Sequence, residues 1–388
     1  MPIGVWALGL VSMFMDTSSE LVHSLLPVFM VSVLGASVAT VGVIEGVAEA
    51  TAAFAKVFSG AVSDYFGKRK FFVVLGYGLA AFTKPIFPLA GSIGWVFTAR
   101  FFDRIGKGIR GAPRDALVAD ITPPDQRGAA YGLRQSLDSV GAFAGPLLAM
   151  VFMAWLANDI KAVLWVAVVP AFIAVALLIA LVREPHQMNP RAGPRLPISR
   201  VDAKRLPRRY WLIVLLGAVF TLARFSEAFL VLRALDVGFS LRYVPAVMVA
   251  MNVVYAAAAY PAGALADRFS RRRLLIAGLA ILIAADAVLA AAVAPWPVLI
   301  GAALWGLHMA LTQGLLSALV AEAAPADLRG TAFGIFNLFS GGALLLASVI
   351  AGSLWTAIGP SATFAAGAVF ASLAAFGLLA YRTEARAR

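Results

Sequence analysis

The sequence contains no cysteine and few charged residues, which make up 13% of its 388 positions. Without cysteine the chain forms no disulfide, no thiolate metal site and no cysteine nucleophile. Soluble domains have about 25% charged residues, whereas hydrophobic residues reach 61% here. So many apolar residues cannot all be buried in one globular core. The composition therefore argues against a large soluble enzyme, a disordered chain and a secreted disulfide-linked domain.

Long polar segments are also scarce, because continuous apolar runs fill most of the chain. A transmembrane helix needs roughly 20 apolar residues. The runs lack the two-residue alternation of barrel strands, so they predict helices. We predict an all-α membrane protein with twelve transmembrane helices, near residues 5–33, 39–62, 71–90, 94–118, 129–156, 160–182, 210–234, 243–266, 272–292, 296–320, 330–354 and 361–381.

The only long polar segment is residues 183–209, which is rich in arginine and proline. It divides the chain into an N-terminal six-helix bundle, residues 1–182, and a C-terminal six-helix bundle, residues 210–388. We interpret the segment between them as a linker.

The net charge of +12 follows the predicted topology. Twenty Lys and Arg residues fall in the linker, the C-terminal tail and the loops on the linker's side, against Lys161 and Arg242 on the other side. Positive loops face the cytoplasm, so both termini and the linker are expected there, as in a multi-pass protein of a bacterial plasma membrane. The basic residues thus indicate topology and predict no nucleic-acid partner. The first basic residue is Lys56, which argues against a cleaved signal peptide.

Two sequence stretches repeat at nearly one offset. GAVSDYFGKRK at 60–70 matches GALADRFSRRR at 263–273, and PDQRGAAYGL at 124–133 matches ADLRGTAFGI at 326–335. Each repeat contains six predicted helices. Secondary transporters use such parallel repeats, with the substrate site between the halves.

The first repeated stretch resembles the signature that follows helix 2 in the major facilitator superfamily. The resemblance covers essentially the whole chain. It implies twelve helices in two bundles related by a pseudo-two-fold axis, and transport by alternating access. The motif residues fit a latch that opens as the halves rock, or a static turn with topogenic charges. They are Gly60, Asp64, Gly67, Lys68, Arg69, Asp267, Arg271 and Arg272.

A second motif lies in the fifth predicted helix, where Gly141, Gly145 and Pro146 resemble the antiporter motif of proton-coupled exporters. This resemblance implies export. Small residues and proline at these positions would also permit close helix packing and a bend.

The fourth predicted helix carries a stripe of cations. At 100° per residue, five basic residues and Asp103 share a face about 120° wide. A charge at membrane depth costs at least about 2.5–3.5 kcal/mol on insertion scales, so these groups need partners or a water-filled cavity. We interpret Arg110 and Arg114 as structural. Arg100, Arg104 and Lys107 are candidate ligands for an anionic group, with pairing to acids of other helices as the alternative.

Polar residues of other predicted helices complete the candidate site. Helices 7 and 10 supply further substrate-binding candidates, namely Arg224, Trp305, His308 and Gln313. A carboxylate for which proton and substrate compete would couple transport to protons. The candidates for that role are Asp16, Glu20, Asp103 and Glu227. A permanently paired structural ion is the alternative for each.

The leading hypothesis is a proton-coupled secondary transporter that exports small organic compounds. Uptake of an anion such as an organic acid or a phosphate ester is the alternative, and metal-ion transport ranks below both. The chain lacks a phosphate-binding loop of the G-x-x-x-x-G-K-[S/T] type and a catalytic triad pattern, so we expect no ATP-driven pump, no enzyme, no cofactor and no bound metal. The expected partners are a small solute, protons and the lipid bilayer, with the chain acting as a monomer.

Overall fold

The computed structural model describes residues 1–184, 200–325 and 328–380, without the side chains of Arg200, Val201 and Asp267. All regular structure within these residues is helical. The predicted linker falls largely outside them, as do the basic residues of the C-terminal tail. A short helix, Arg200–Lys204, precedes the second half of the chain.

Twelve long helices, some of them interrupted, run through the described residues and confirm the predicted spans to within a few positions. They are α1 (Ile3–Val28, continued by a π-helical turn at Phe29–Val33), α2 (Val38–Phe66), α3 (Arg69–Thr83 and Ile86–Leu89), α4 (Ile93–Ile121), α5 (Arg127–Trp155), α6 (Ile160–Val166 and Val168–Leu181), α7 (Arg208–Leu222 and Ala228–Asp236), α8 (Ala246–Arg268), α9 (Arg271–Ala291), α10 (Pro295–Thr312 and Leu315–Ala323), α11 (Arg329–Ala357) and α12 (Pro360–Ala380).

Nine of these helices are long and apolar enough to cross a membrane by length and composition, counting only the described part of the chain. The other three are α1, α4 and α7. The fourth helix carries the cationic stripe, and α7 is interrupted between Leu222 and Ala228. Polar groups in these helices have to face a cavity or other helices rather than lipid.

Helix packing repeats between the two halves. In the first half α1 packs against α5 and α6, α2 against α4, and α3 against α4 and α6. Adding six to every number gives the contacts of the second half: α7 with α11 and α12, α8 with α10, and α9 with α10 and α12. The chain is therefore two six-helix bundles related by a pseudo-two-fold axis. The bundles meet where α2 packs on α11, α5 on α8, and α1 on α7.

The bundles touch closely at one end of the molecule. We call this end, where α2 begins and α11 ends, the far face, and the opposite end, where α2 ends, the linker face. Near the far face a Cβ atom on Gly42 would lie 2.4 Å from the Ser348 carbonyl oxygen. The Ala39 N–H also donates to Thr356 Oγ1 at 3.1 Å. Only glycine permits so close a backbone approach, so the halves are sealed at the far face.

Candidate functional site

A cavity lies between the two bundles, in two adjoining compartments of about 440 Å³ each. Glu20, Glu49 and Lys107 line both compartments. The central compartment reaches α7, α8 and α10 of the second half. The second compartment extends toward the linker face, where Lys56 and Asp115 line it. The cavity therefore opens toward the linker face in this conformation.

The break in α7 supplies much of the central compartment's wall. The helix stops at Leu222, and the next four lining residues include Arg224 and Glu227. At the break the Ser226 N–H donates to Ser348 Oγ at 3.2 Å, and the Ala228 N–H donates to Ser226 Oγ at 3.3 Å. Serine hydroxyls thus replace bonds of the helical ladder. Interrupted helices of this kind line the substrate sites of secondary transporters.

Helix α10 is interrupted at the same depth. Gln313 and Gly314 separate its two parts, and Gly314 has a φ of +91°, a left-handed conformation that favours glycine. Gln313 and Trp305 line the central compartment with the α7 residues. The structure thus brings together four candidates predicted for the second half: Arg224, Glu227, Trp305 and Gln313.

Arg104 and Lys107 of the cationic stripe both reach the cavity, but only Arg104 is paired with a carboxylate there. Arg104 Nη1 lies 3.2 Å from Glu49 Oε1, and both residues line the central compartment. Lys107 is exposed to the cavity and forms no ion pair with any residue that the structure describes. Of the first-half cations that line the central compartment, it is therefore the one most available to a solute.

Arg100 points away from the cavity. Its guanidinium donates to Glu45 Oε1 at 3.1 Å, to Glu45 Oε2 at 2.6 Å and to His23 Nδ1 at 2.8 Å. The arginine is 1% exposed and Glu45 is fully buried. The structure thus places Arg100 in a bidentate ion pair between α4 and α2 rather than on the cavity wall. This is the pairing that the sequence left open as the alternative.

Asp103 lies in a second buried ion pair. Lys84 Nζ donates to Asp103 Oδ1 at 2.8 Å and to Ser19 Oγ at 3.0 Å, and both charged side chains are almost completely buried. The pair joins α3 to α4, so the structure does not bring Asp103 to the cavity. Sequence reasoning missed Lys84. A lone lysine in an apolar run already implies a buried carboxylate partner.

His308 is likewise buried behind the wall. Its Nδ1 lies 2.7 Å from the Gly278 carbonyl oxygen, and its ring stacks on Phe220 with centroids 5.6 Å apart. The next residue of the same helix, Met309, lines the central compartment instead. His308 therefore joins α10 to α9.

The acidic candidates of α1 face the cavity. Glu20 lines both compartments, and Asp16, one turn away, lines the linker-side compartment with Asp138. Asp138 is held by Arg134, whose Nη1 donates to it at 2.6 Å. Glu20 forms no hydrogen bond or ion pair with any described residue, and it packs beside Gly145 of α5.

The repeated loop motif forms matching ion pairs in the two halves. In the first half Arg69 pairs with Asp64 at 3.0 Å and also with Asp120. In the second half Arg271 pairs with Glu322. Both arginine–carboxylate pairs are separated by the same number of residues, and each joins helices of one bundle. Sequence reasoning missed the two partners Asp120 and Glu322, which lie at corresponding repeat positions.

The remaining motif residues lie around these pairs. Gly67 has a φ of +62° and ends α2 in a left-handed turn. A Cβ on Gly60 would lie 3.3 Å from Ala112 Cβ, so this glycine sits against α4. Lys68 directly precedes α3, and Arg272 donates to the Leu379 carbonyl oxygen. The side chain of Asp267 lies outside the described residues.

The glycines of the antiporter-like motif bring α5 onto α1. A Cβ on Gly141 would lie 2.5 Å from the Met13 carbonyl oxygen, and one on Gly145 would lie 2.6 Å from that of Thr17. The same Gly145 Cβ would lie 2.8 Å from Glu20 Cβ. Pro146 follows inside the helix. These contacts fix the position of the cavity acids on α1.

The described residues contain no group of three or more His, Asp or Glu side chains arranged to hold a metal ion. The cavity instead presents carboxylates, cations and aromatic rings from both bundles. Such a set suits reversible binding of a polar or charged organic solute.

The sequence profile of the Major Facilitator Superfamily matches residues 8–241 and 228–388. The chain belongs to the major facilitator superfamily. It is therefore an integral multi-pass membrane transporter of small molecules and not an enzyme. An uncharacterized MFS-type transporter of Methanocaldococcus jannaschii is 32% identical over 383 residues, 97% of this chain and 94% of the relative.

Two further comparisons agree with this assignment. A class C tetracycline resistance protein of Escherichia coli is 27% identical over 317 residues, 76% of either chain. The crystal structure of the nucleoside transporter NupG (D323A mutant) superposes with a TM-score of 0.78 at 15% identity, over 97% of this chain and 99% of that one. The superposition on NupG shows that this chain has the twelve-helix fold that its sequence predicts.

The contact between Gly145 and α1 gives a direct test in this transporter. We expect Gly145→Ala to impair transport without removing any charge, because the new methyl group would push α1 and Glu20 away from α5. Clashes in packed helices typically cost about 1–3 kcal/mol. The matched control is Gly132→Ala on the same helix, where a Cβ has nothing within 4 Å. Equal transport and equal thermal stability in both variants would show that this contact does not position the cavity.

Proposed function

We propose that the transporter exports a small organic solute in exchange for protons, by alternating access. The observation that carries the proposal is the content of the central compartment. Glu20 and Lys107 of the first half, and Glu227 and Arg224 of the second, line one space. Each half thus offers a carboxylate that a proton can neutralise beside a cation that a solute can bind.

The proposed roles follow from position. Lys107, Arg104 and Arg224 bind the polar part of the solute, while Trp305 and Gln313 contact its remainder. Glu20, Asp16 and Glu227 exchange protons with the cavity. Protonation of a carboxylate removes its attraction for a neighbouring cation, and that cation then becomes free for the solute. Solute and proton therefore compete, as antiport requires.

Buried pairs hold the scaffold around this exchange. Arg100 with Glu45 and Lys84 with Asp103 tie α4 to its neighbours, so the first bundle moves as a unit when the halves rock. The repeated pairs at the linker face, Arg69 with Asp120 and Arg271 with Glu322, brace each bundle in the same way. We propose that this bracing, rather than a bond between the halves, is what the loop motif contributes to gating.

The direction of transport is inferred from topology and from a relative. The excess of basic residues on the linker side supports a cytoplasmic position for the linker face and both termini. A cavity open to that face is ready to load a cytoplasmic solute. The relative named for tetracycline resistance fits a role in removing compounds from the cell. Both halves of the cavity come from one chain, so we propose that a monomer is the transport unit.

The test uses proteoliposomes and a solute identified first by thermal shift, since a ligand that binds the folded state raises its stability. With the linker face outside, an outward-directed proton gradient (acidic inside) is expected to drive uptake of the solute into the vesicle. In the Glu20→Gln variant, solute uptake is expected to become independent of the proton gradient. Its control is Asp159→Asn, a change at the helix cap of α6. Solute accumulation with the opposite gradient orientation would overturn export.

A second candidate function is proton-coupled uptake of an anionic metabolite such as an organic acid or a phosphate ester. The specific observation that favours it is Lys107, which faces the cavity without an ion-pair partner among the described residues. The gradient experiment separates the two functions, because symport moves proton and solute in the same direction. Tight binding of organic anions, with no binding of neutral or cationic compounds, would favour this candidate.

A further inference from the structure

One carboxyl group outside the cavity has no hydrogen-bond or ion-pair partner among the described residues. Asp286 lies in the C-terminal half of α9 and is 0% exposed. No group of the described residues hydrogen-bonds to either of its carboxylate oxygens. An ionised carboxylate buried in this way is very costly unless it is paired or hydrogen-bonded. Such a residue in a transmembrane helix indicates a functional group rather than a packing residue.

The surroundings of Asp286 are apolar and built to fit a carboxyl group. A Cβ on Gly367 of α12 would lie 2.6 Å from Asp286 Oδ2 and 3.0 Å from the ring of Phe225. Glycine at 367 therefore leaves the space that the carboxyl group occupies. The Phe225 ring in turn packs against Trp305 and Phe364, with centroids 5.3 Å and 5.5 Å apart.

The charged groups of the neighbouring helices are engaged elsewhere. Helix α12 has no titratable residue between Pro360 and Ala380, and α9 has none besides Asp286 beyond its first turn. On α10, His308 is bonded through Nδ1 to Gly278. On α7, Arg224 and Glu227 line the cavity, and Arg233 donates to Asp236 and to the Leu289 carbonyl oxygen. Asp286 forms an ion pair with none of the described residues.

Phe225 separates this carboxyl group from the cavity. It belongs to the interrupted segment of α7 and also lines the central compartment. Backbone outside a regular helix needs fewer broken hydrogen bonds to move. A shift of this one ring would connect Asp286 to the cavity, while its return would isolate the group again.

We propose that Asp286 is a proton-binding site of the second bundle, with Phe225 as its gate to the cavity. When the ring moves aside, a proton from the cavity forms an O–H bond with the carboxylate, and the reverse step returns it to the cavity. The proton is the only species transferred, so the site needs no further reactant. Proton binding stands without the proposed export function, whereas a use of this proton in coupling rests on it.

Infrared difference spectroscopy on the purified transporter tests the site without any solute. The wild type is expected to show the C=O stretching band of a protonated carboxylic acid, and Asp286→Asn is expected to remove it. Asp286→Ala serves the same purpose should the amide variant fail to fold. Glu20→Gln is the control and should leave this band in place. Absence of a band that depends on Asp286 at any pH tested would overturn the proposal.

The gate is tested by hydrogen–deuterium exchange of the same band. In the wild type the Phe225 ring should slow its deuterium shift, and Phe225→Ala should speed it at least tenfold. Phe364→Ala, which removes a ring farther from the cavity, is the control. Equal exchange rates in wild type and Phe225→Ala would overturn the gate.

A transport measurement then decides the coupling role. Asp286→Asn should retain solute counterflow but respond at least tenfold less to a proton gradient than the wild type. An unchanged response, with the infrared band assigned, would overturn the coupling role alone. A wild type that ignores the gradient would instead refute the proposed antiport, and the infrared result would still decide the site.

Discussion

Arg100→Ala is expected to lower the stability of the transporter by about 3–5 kcal/mol, because it leaves Glu45 charged, fully buried and without its partner. Three donated bonds end with the same substitution, two to Glu45 and one to His23. The measurement is the apparent unfolding temperature of the purified protein in detergent. A large decrease is expected even in the absence of any solute.

The double variant Arg100→Leu with Glu45→Leu separates a charge effect from a packing effect. Replacing both members of a buried pair by apolar residues is often neutral or stabilising. The double variant should therefore recover much of the unfolding temperature that Arg100→Ala loses. If Arg100→Ala instead left stability unchanged and abolished solute binding, Arg100 would be a ligand in the cavity, as its place in the cationic stripe suggests.

Lys107→Gln is expected to weaken solute binding by about 10- to 100-fold while leaving stability nearly unchanged. A hydrogen bond to a charged group contributes about 1.5–3 kcal/mol. The lysine faces the cavity and has no ion-pair partner among the described residues, so its removal breaks no buried ion pair. The measurement is the dissociation constant of a screened solute, together with its rate of counterflow.

Two variants sharpen this result. Lys107→Arg keeps the charge and should bind within a few-fold of the wild type. Lys161→Gln removes an exposed cation near the far face and should change nothing. Wild-type affinity in Lys107→Gln would show that the solute is held elsewhere in the cavity.

The fold could be predicted from the sequence because its signals are long and redundant. Twelve apolar runs, one polar segment and two repeated motifs each constrain the same arrangement. The interruption of α7 could not be predicted. Residues 223–227 fall inside a segment that the sequence predicts as one continuous helix. The helix stops there because the Ser226 N–H donates to Ser348 Oγ of α11.

Only part of the site could be predicted, and the reason is geometric. A helical stripe shows which residues share a face, but it does not show what that face meets along its length. Arg100, Arg104 and Lys107 lie on one stripe, yet Arg100 meets Glu45, Arg104 meets Glu49 at the cavity edge, and Lys107 reaches open space. Which neighbour each residue meets depends on α2, and that packing is not visible in the sequence of α4.

The ion-pair partners that the sequence did not reveal were missed for a similar reason. Lys84 follows no motif, and its importance appears only when α3 is packed on α4 and Asp103 lies 2.8 Å away. Asp120 and Glu322 could have been found, since they occupy the same position of the internal repeat and each pairs with an arginine of the repeated motif. Comparing the repeats beyond their most similar stretches would have identified that pair.

The most direct test of alternating access is a pair of distance measurements by electron spin resonance. The chain has no cysteine, so two introduced cysteines can be labelled without background. Phe66→Cys with Phe269→Cys reports on the linker face, and Leu89→Cys with Val293→Cys reports on the far face; all four side chains are exposed. Changing pH or adding a bound solute should lengthen one distance and shorten the other. Two distributions that stay fixed under all these conditions, or that shift in the same direction, would contradict the account.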